Sequence, residues 1–279
     1  MKSSVIVSVV GLIGGLTFIL ARPGSAQNAP AAPAGAAPAA AAAATSRPFV
    51  EPPIGKPVFT EDFESGEIKK DIWEIRTGPA DGKVELTVQS DKVMHGKFAL
   101  QATFPVGGRN VFGFINWKGP ESMKKHAFGR AYMFIDHETL PTAHWVYAFG
   151  ATAGHPTANM LEVGVYQNKW NLSYQQNAQG QRGETSYRTV PITTQKWICL
   201  EWELNDSPEE INLWLDGQHI DRTIPDLKGR GTPPRSGDNL VGGMVEFGVG
   251  LRYWGSVTEP YNVYYDDVAF GPERIGPIK

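Results

Sequence analysis

The chain predicts an all-β fold, a two-sheet antiparallel β-sandwich of the jelly-roll, concanavalin A-like type. Three observations carry this. Ile198, Leu200, Trp202 and Leu204 alternate with Trp197, Cys199, Glu201 and Glu203, and the alternation resumes at Ile211, Leu213 and Leu215. A period of two with this aromatic content marks strands buried on one side. Asp216-Gly217 follows as a tight hairpin turn. Similar runs succeed one another at short spacing, with no internal repeat and no long amphipathic helix.

Taken in order, the chain opens with a short basic start, Met1-Lys2-Ser3-Ser4, and an apolar run over 5–20. Small residues Gly24-Ser25-Ala26 then precede Gln27. That pattern predicts a secretory signal peptide over 1–26. The rival is an uncleaved membrane anchor, because the apolar run is only slightly short of a full span. The well-placed small residues favour cleavage, so a secreted chain with no stable membrane insertion is expected. Residues 27–53 begin as almost pure Ala and Pro. Such a stretch has nothing to pack, and prolines stop an alanine helix; it reads as a disordered linker.

Residues 54–279 suit one large sandwich, expected to be a monomer. Strands are expected at 58–63, 83–90, 98–104, 112–117, 129–135, 145–151, 160–167 and 170–176. The meander of 197–220 follows, then 244–253 and 263–270. The Gly- and Pro-rich segment 226–239 reads as a long loop of the kind that borders a cleft. With 26 basic and 29 acidic residues the charge is nearly balanced, which argues against nucleic acid and a polybasic membrane surface. Cys199 is the one cysteine, so an exported chain has no internal disulfide. Between Ile198 and Leu200 it reads as a small buried residue, not a nucleophile.

Alternation also assigns faces. Trp145, Tyr147 and Phe149 suit the core, leaving His144, Val146 and Ala148 opposite. Leu161, Val163 and Val165 suit the core, leaving Glu162, Gly164 and Tyr166 outside. Val245, Phe247, Val249 and Leu251 point inward, with Glu246, Gly248, Gly250 and Arg252 outward. Ala131, Met133 and Ile135 point inward, with Arg130, Tyr132 and Phe134 outward. The outward sets mix glycines, aromatics and charges. A face holding a sugar chain needs this mix: room, stacking surface, and partners for hydroxyls or carboxylates.

The runs Trp197-Ile-Cys-Leu-Glu-Trp-Glu-Leu and Glu210-Ile-Asn-Leu-Trp-Leu-Asp-Gly resemble the core domain of the fungal cellulose-induced secreted protein and its bacterial relatives. Gly129-Arg-Ala-Tyr-Met-Phe-Ile and Leu140-Pro-Thr-Ala-His-Trp fit the same domain, which is itself similar to the glucuronan lyases. The resemblance covers most of 58–275. It implies a jelly roll, a structural calcium ion and β-elimination on a uronate-containing polysaccharide. Its motifs are mainly structural and identify fold better than activity.

The resemblance also implies that the acidic run 61–64 and the Asp266-Asp267 pair meet near residues 90–96 around Ca²⁺, which takes hard oxygen ligands. Glu64 and Asp266 are the expected ligands, with Asp266 assigned to the face of Val268 and Phe270. Read without the family, these are solvated strand-end carboxylates. Zinc-type His and Cys clusters are absent from the sequence.

A lyase must neutralise the uronate carboxylate, remove the proton beside it and protonate the leaving oxygen. His144 is expected as base or carboxylate neutraliser and Tyr261 as acid/base, by a loose match to the related lyases. Arg130 and Arg252 are charge partners. Taken alone, His144 is an ordinary strand-start histidine. Tyr132, Glu162, Tyr166 and Trp254 are the expected carbohydrate-binding residues. A hydrolase needs two facing carboxylates, and Glu162 with Glu246 is the candidate pair. The alternatives to a lyase are a non-catalytic carbohydrate-binding module and a structural cell-envelope domain.

Overall fold

Strand follows strand as the alternation predicts. In the computed structural model, described for residues 49–78, 82–141, 145–153, 160–176, 181–184, 190–206, 209–223 and 243–278, the elements are β1 (Phe59–Glu61), β2 (Glu74–Gly78), β3 (Glu85–Gln89), β4 (Ala99–Phe104), β5 (Val111–Lys118), β6 (His126–Ile135), β7 (Trp145–Ala151), β8 (Met160–Tyr166), β9 (Lys169–Gln176), β10 (Gln181–Glu184), β11 (Trp197–Asp206), β12 (Glu209–Leu215), β13 (Gln218–Thr223), β14 (Glu246–Tyr253) and β15 (Tyr261–Gly271). One short 3₁₀ turn, Glu121–Met123, interrupts them. The expected signal peptide, most of the linker, His144 and the loop 226–239 lie outside the described residues. Among the described residues no helix is long and apolar enough to cross a membrane.

The strands form two antiparallel sheets. Sheet I has eight strands in the order β13-β12-β11-β6-β15-β4-β3, with β1 also on β15; sheet II has seven, in the order β10-β9-β8-β7-β14-β5-β2. Asp216 and Gly217 take positive φ in the β12–β13 turn, as the Asp-Gly signal requires. Gln167-Asn168 does the same between β8 and β9. Strands β2 and β10 lie beyond the expected set, and β13 is the strand that follows the Asp216-Gly217 turn of the expected meander.

Between the sheets, Ala131, Met133, Leu200, Trp202, Val263 and Tyr265 of sheet I pack in one core with Trp145, Leu161, Val163, Phe247 and Leu251 of sheet II. Burying a side chain of Leu or Val size contributes roughly 1.5–3 kcal/mol, and this core holds the fold with no disulfide.

Two bulges shift the expected faces. In β7 the register slips between Val146 and Ala148. Tyr147 and Ala148 therefore both reach the core, while Phe149 turns outward to join Val146. In β15 the register slips between Asp266 and Ala269, with Asp267 at φ 48°. The extra residue sends Val268 and Phe270 to the core and leaves Asp266 on the other face, contrary to the assignment from alternation.

Residues 49–54 and 274–278 pack on the outer face of sheet I. Ile54 bridges to Arg274, and the Phe49 ring stacks on His219 at 3.7 Å. Residues 49–53, read from composition as linker, thus join the fold. Arg274 reaches Glu201 at 3.1 Å, with both side chains almost fully buried, and covers the Trp214 ring at 4.6 Å.

Candidate functional site

The outer face of sheet II is ordered in rows set by strand register. One row runs Glu74, Asn116, Gly248, Phe149, Glu162, Ser173. The next runs Phe112, Arg252, Val146, Gly164, Asn171. A third holds Lys118, Glu246, Ala151 and Met160. Alternation delivers these residues to one side, and glycines keep the middle low. A Cβ on Gly248 would come within 2.6 Å of the Phe149 ring.

This face is polar yet shielded. Asn116, Glu162, Asn171, Ser173, Glu246 and Arg252 are all at most 9 % exposed. The Arg252 guanidinium lies 4.2 Å from the centre of the Trp254 ring. Ser173 Oγ donates to Glu162 Oε2 at 2.9 Å. Arg76 clasps Glu246 through both guanidinium ends at 2.7 and 2.9 Å, and its bond to Glu74 holds that carboxyl below its usual range. A small apolar cluster of Phe114, Val146, Phe149 and Met160 backs the face, with Phe112 and Trp254 packed on it. Four expected site residues therefore share one face: Arg252, Glu162, Trp254 and the half-buried Tyr166 at the end of β8. Glu246 is neutralised by Arg76, which weakens the hydrolase pair.

Arg130 and Tyr132 stand on the opposite side of the molecule. Alternation turned them outward, and β6 carries them to the outer face of sheet I. Arg130 donates to the carbonyls of Asp267 and Gly276 at 3.2 and 3.1 Å. The Tyr132 hydroxyl accepts the Ile278 N–H at 3.0 Å. Both fasten the chain's own C-terminal segment, so neither joins Arg252.

Tyr261 is no open-face acid either. It is 1 % exposed, its hydroxyl lies 3.1 Å from that of Tyr147, and its ring stacks on Trp145 at 4.2 Å. Burial pushes its phenol well above the usual tyrosine range. Its outer edge floors a cavity of about 320 Å³ with His137, Thr139, Ser256 and Glu259 at the end of the sandwich. Cys199 is buried and its thiol is pushed up to about 12, chiefly by burial, so it is inert at neutral pH.

The expected calcium ligands are engaged by amides. Glu64 Oε1 accepts the N–H groups of Lys97 and Phe98 at 2.7 and 2.9 Å. Asp266 Oδ2 accepts those of Met94 and His95 at 2.9 and 3.0 Å, and Oδ1 that of Asp267 at 2.8 Å. These donors bring positive partial charge to the oxygens a cation would need. Among the described residues no three His, Cys, Asp or Glu side chains are placed to hold a metal. As placed, the two carboxylates fit a clamp on the loop over 94–98 better than a calcium shell.

The residues missed at first are Asn116, Asn171, Ser173 and Arg76. Asn116 shares the parity of Phe112 and Phe114 in β5, and that signal was open to reading. Arg76 sits on β2, a strand with no clean alternation.

No family model matches the chain, and no curated protein matches it. Solved structures do. The cellulose-induced protein Cip1 is 16 % identical with a TM-score of 0.60, over 79 % of this chain and all of Cip1. The globular domain of T. cruzi calreticulin is 15 % identical with a TM-score of 0.49, over 78 % of this chain and 88 % of that domain. The likeness to Cip1 shows the fold, the two-sheet jelly-roll sandwich described above.

Proposed function

We propose that this is a secreted carbohydrate-active jelly roll that binds a uronate-containing polysaccharide along the outer face of sheet II and cleaves it by β-elimination. The carrying observation is the Arg252–Trp254 pair, on the same outward face of sheet II as Glu162, Asn171 and Ser173. The guanidinium suits the uronate carboxylate, and neutralising that charge makes the neighbouring C–H more acidic. The indole offers an apolar surface to a sugar ring. His144, next to Trp145, is the candidate base. With Tyr261 withdrawn into the core, Tyr166 is the tyrosine on the same face as Arg252 that could return a proton to the leaving oxygen. The fold shared with Cip1 is consistent with this reading.

The test is direct. Glucuronan, alginate and pectin are each incubated with the purified protein, and the ultraviolet absorbance of the unsaturated product is followed. Wild-type protein is expected to release product from at least one of them, and His144→Ala to abolish the signal. The withdrawal of Tyr261 and Arg130 favours a second reading, a binding module without catalysis. No product from any substrate, with retained retardation on polysaccharide affinity gels, would leave only that second reading. Bound calcium would have to displace amide donors at Glu64 and Asp266; metal analysis of protein purified without chelator tests that expectation.

A further inference from the structure

We infer that the β2 edge of sheet II carries a second carbohydrate subsite, a groove for a neutral, hydroxyl-rich saccharide, which adjoins the outer face but is offset along it from Arg252. The edge strand is shorter than its neighbour. β2 starts at Glu74, opposite Asn116, so Trp117 and Lys118 of β5 run on past its end. A cavity of about 630 Å³ opens there, lined by Phe59, Lys70, Ile72, Asn116 and Trp117 among others. A second cavity of about 520 Å³ shares Glu74 and Lys118 with the first and continues to Arg76 and Glu246. The two form a path from the sandwich edge toward the outer face of sheet II.

Three features give the ligand its chemistry. Phe59 and Trp117, both half-buried, stack at 4.6 Å, and Ile72 beside them is 36 % exposed. Together they form an apolar wall of the kind that takes the face of a sugar ring. Charges along the path cancel: Lys70 and Lys118 balance Asp71 and Glu74, while Arg76 is paired with Glu246 at 2.7 Å. A path without net charge does not select a uronate, in contrast to Arg252. Last, Asn116 is 2 % exposed, and neither its amide nitrogen nor its oxygen has a hydrogen-bond partner among the described residues. A buried carboxamide with neither bond made is destabilising, and nothing in the packing of the fold calls for it. A donor nitrogen and an acceptor oxygen on a single group are what sugar hydroxyls satisfy. The inference rests on reading the domain as carbohydrate-active, though not on lyase chemistry.

The experiment titrates cellohexaose into the full chain by calorimetry and follows backbone amide signals by NMR. Binding is expected, with shifts at residues 70–74 and 116–118, and trigalacturonate in excess is expected not to displace the ligand. Asn116→Ala should weaken binding by about tenfold or more while leaving the melting temperature unchanged or raised, because it deletes two unpaired buried polar atoms. Lys118→Ala, on the exposed rim, should weaken binding a few-fold, and it decides the matter if Asn116→Ala fails to fold. No binding of cellohexaose overturns the inference. So do its displacement by trigalacturonate and unchanged affinity in both variants. Cellohexaose binding with no product from any acidic polysaccharide would sink the lyase proposal and leave the groove standing. Product without cellohexaose binding would do the reverse.

Discussion

Sheets I and II each bury an arginine on the face turned away from the core, and the two are held differently. Arg130 of sheet I donates to the carbonyls of Asp267 and Gly276, within a face covered by residues 49–54 and 274–278. Arg252 of sheet II lies over an indole, between Phe112 and Val146 of the neighbouring strands. Equal burial thus hides unequal roles: 8 % exposure for Arg130 and 9 % for Arg252. Arg130 is held by the chain's own carbonyls, whereas Arg252 lies on the indole of the face proposed to take the polysaccharide.

The comparison breaks most visibly at Arg274. Its pair with Glu201 is the buried ion pair that fastens the C-terminal segment to sheet I, and Glu201 also accepts the Gly276 N–H at 2.9 Å. Arg274→Ala leaves Glu201 buried without its charge partner, which costs about 3–5 kcal/mol. Urea denaturation should show that loss. A loss below about 1 kcal/mol, the range of exposed pairs, would mean that the C-terminal segment does not close sheet I.

Asp266 sharpens the same face through pH. Burial raises its carboxyl to about 6, although three backbone N–H groups pull the other way. The ordinary aspartate value in an unfolded chain is about 3.9. With the folded value above the unfolded one, the contribution is fully favourable below about 4 and is lost as pH rises through about 6. Two pH units correspond to about 2–3 kcal/mol. The stability of wild type minus that of Asp266→Asn should therefore fall by about that much between acid and neutral pH. A flat difference would show that the amide donors offset the burial completely.

On sheet II the expected loss is functional. Arg252→Ala should lower activity on the responsive acidic polysaccharide roughly thirtyfold, about 2 kcal/mol of transition-state stabilisation. Arg130→Ala should leave turnover per folded molecule unchanged and lower stability instead. If the two variants traded these effects, the assignment of the open face to sheet II would be reversed.

These assignments also show what alternation can reveal. The period of two separated inner from outer residues in β6, β8 and β14; in β14 it holds through the slip against β7 between Val249 and Arg252, because pairing with β5 stays regular there. It failed at Phe149 and Asp266, because one extra residue in a bulge inverts every later side chain and leaves no mark in hydropathy. It also could not say which sheet a strand joins. Arg130 and Arg252 share the same outward parity, and only the strand order places them on opposite sides of the molecule. The packing of residues 49–53 was hidden for a different reason. Their partners, His219, Trp214 and Arg274, are remote in sequence, so local composition carries no trace of them.

Tyr261 tests the boundary between the two sheets and should show the smallest effect. Its hydroxyl meets that of Tyr147 from sheet II, while Tyr265 beside it bonds the Gly250 carbonyl, so polar bridges cross the core at this point. Tyr261→Phe keeps the ring against Trp145 and removes one neutral hydrogen bond, leaving the Tyr147 hydroxyl short of a partner. A single such bond contributes about 1 kcal/mol net, with a further penalty for the stranded group. Denaturation should register about 1–2 kcal/mol, and activity per folded molecule should stay at the wild-type level. An acid/base tyrosine would behave in the opposite way, with stability preserved and turnover lost. That second outcome would mean the Tyr261 hydroxyl reaches substrate from the cavity at the sandwich end, and the site would then have to span the edge between the sheets instead of lying on sheet II alone.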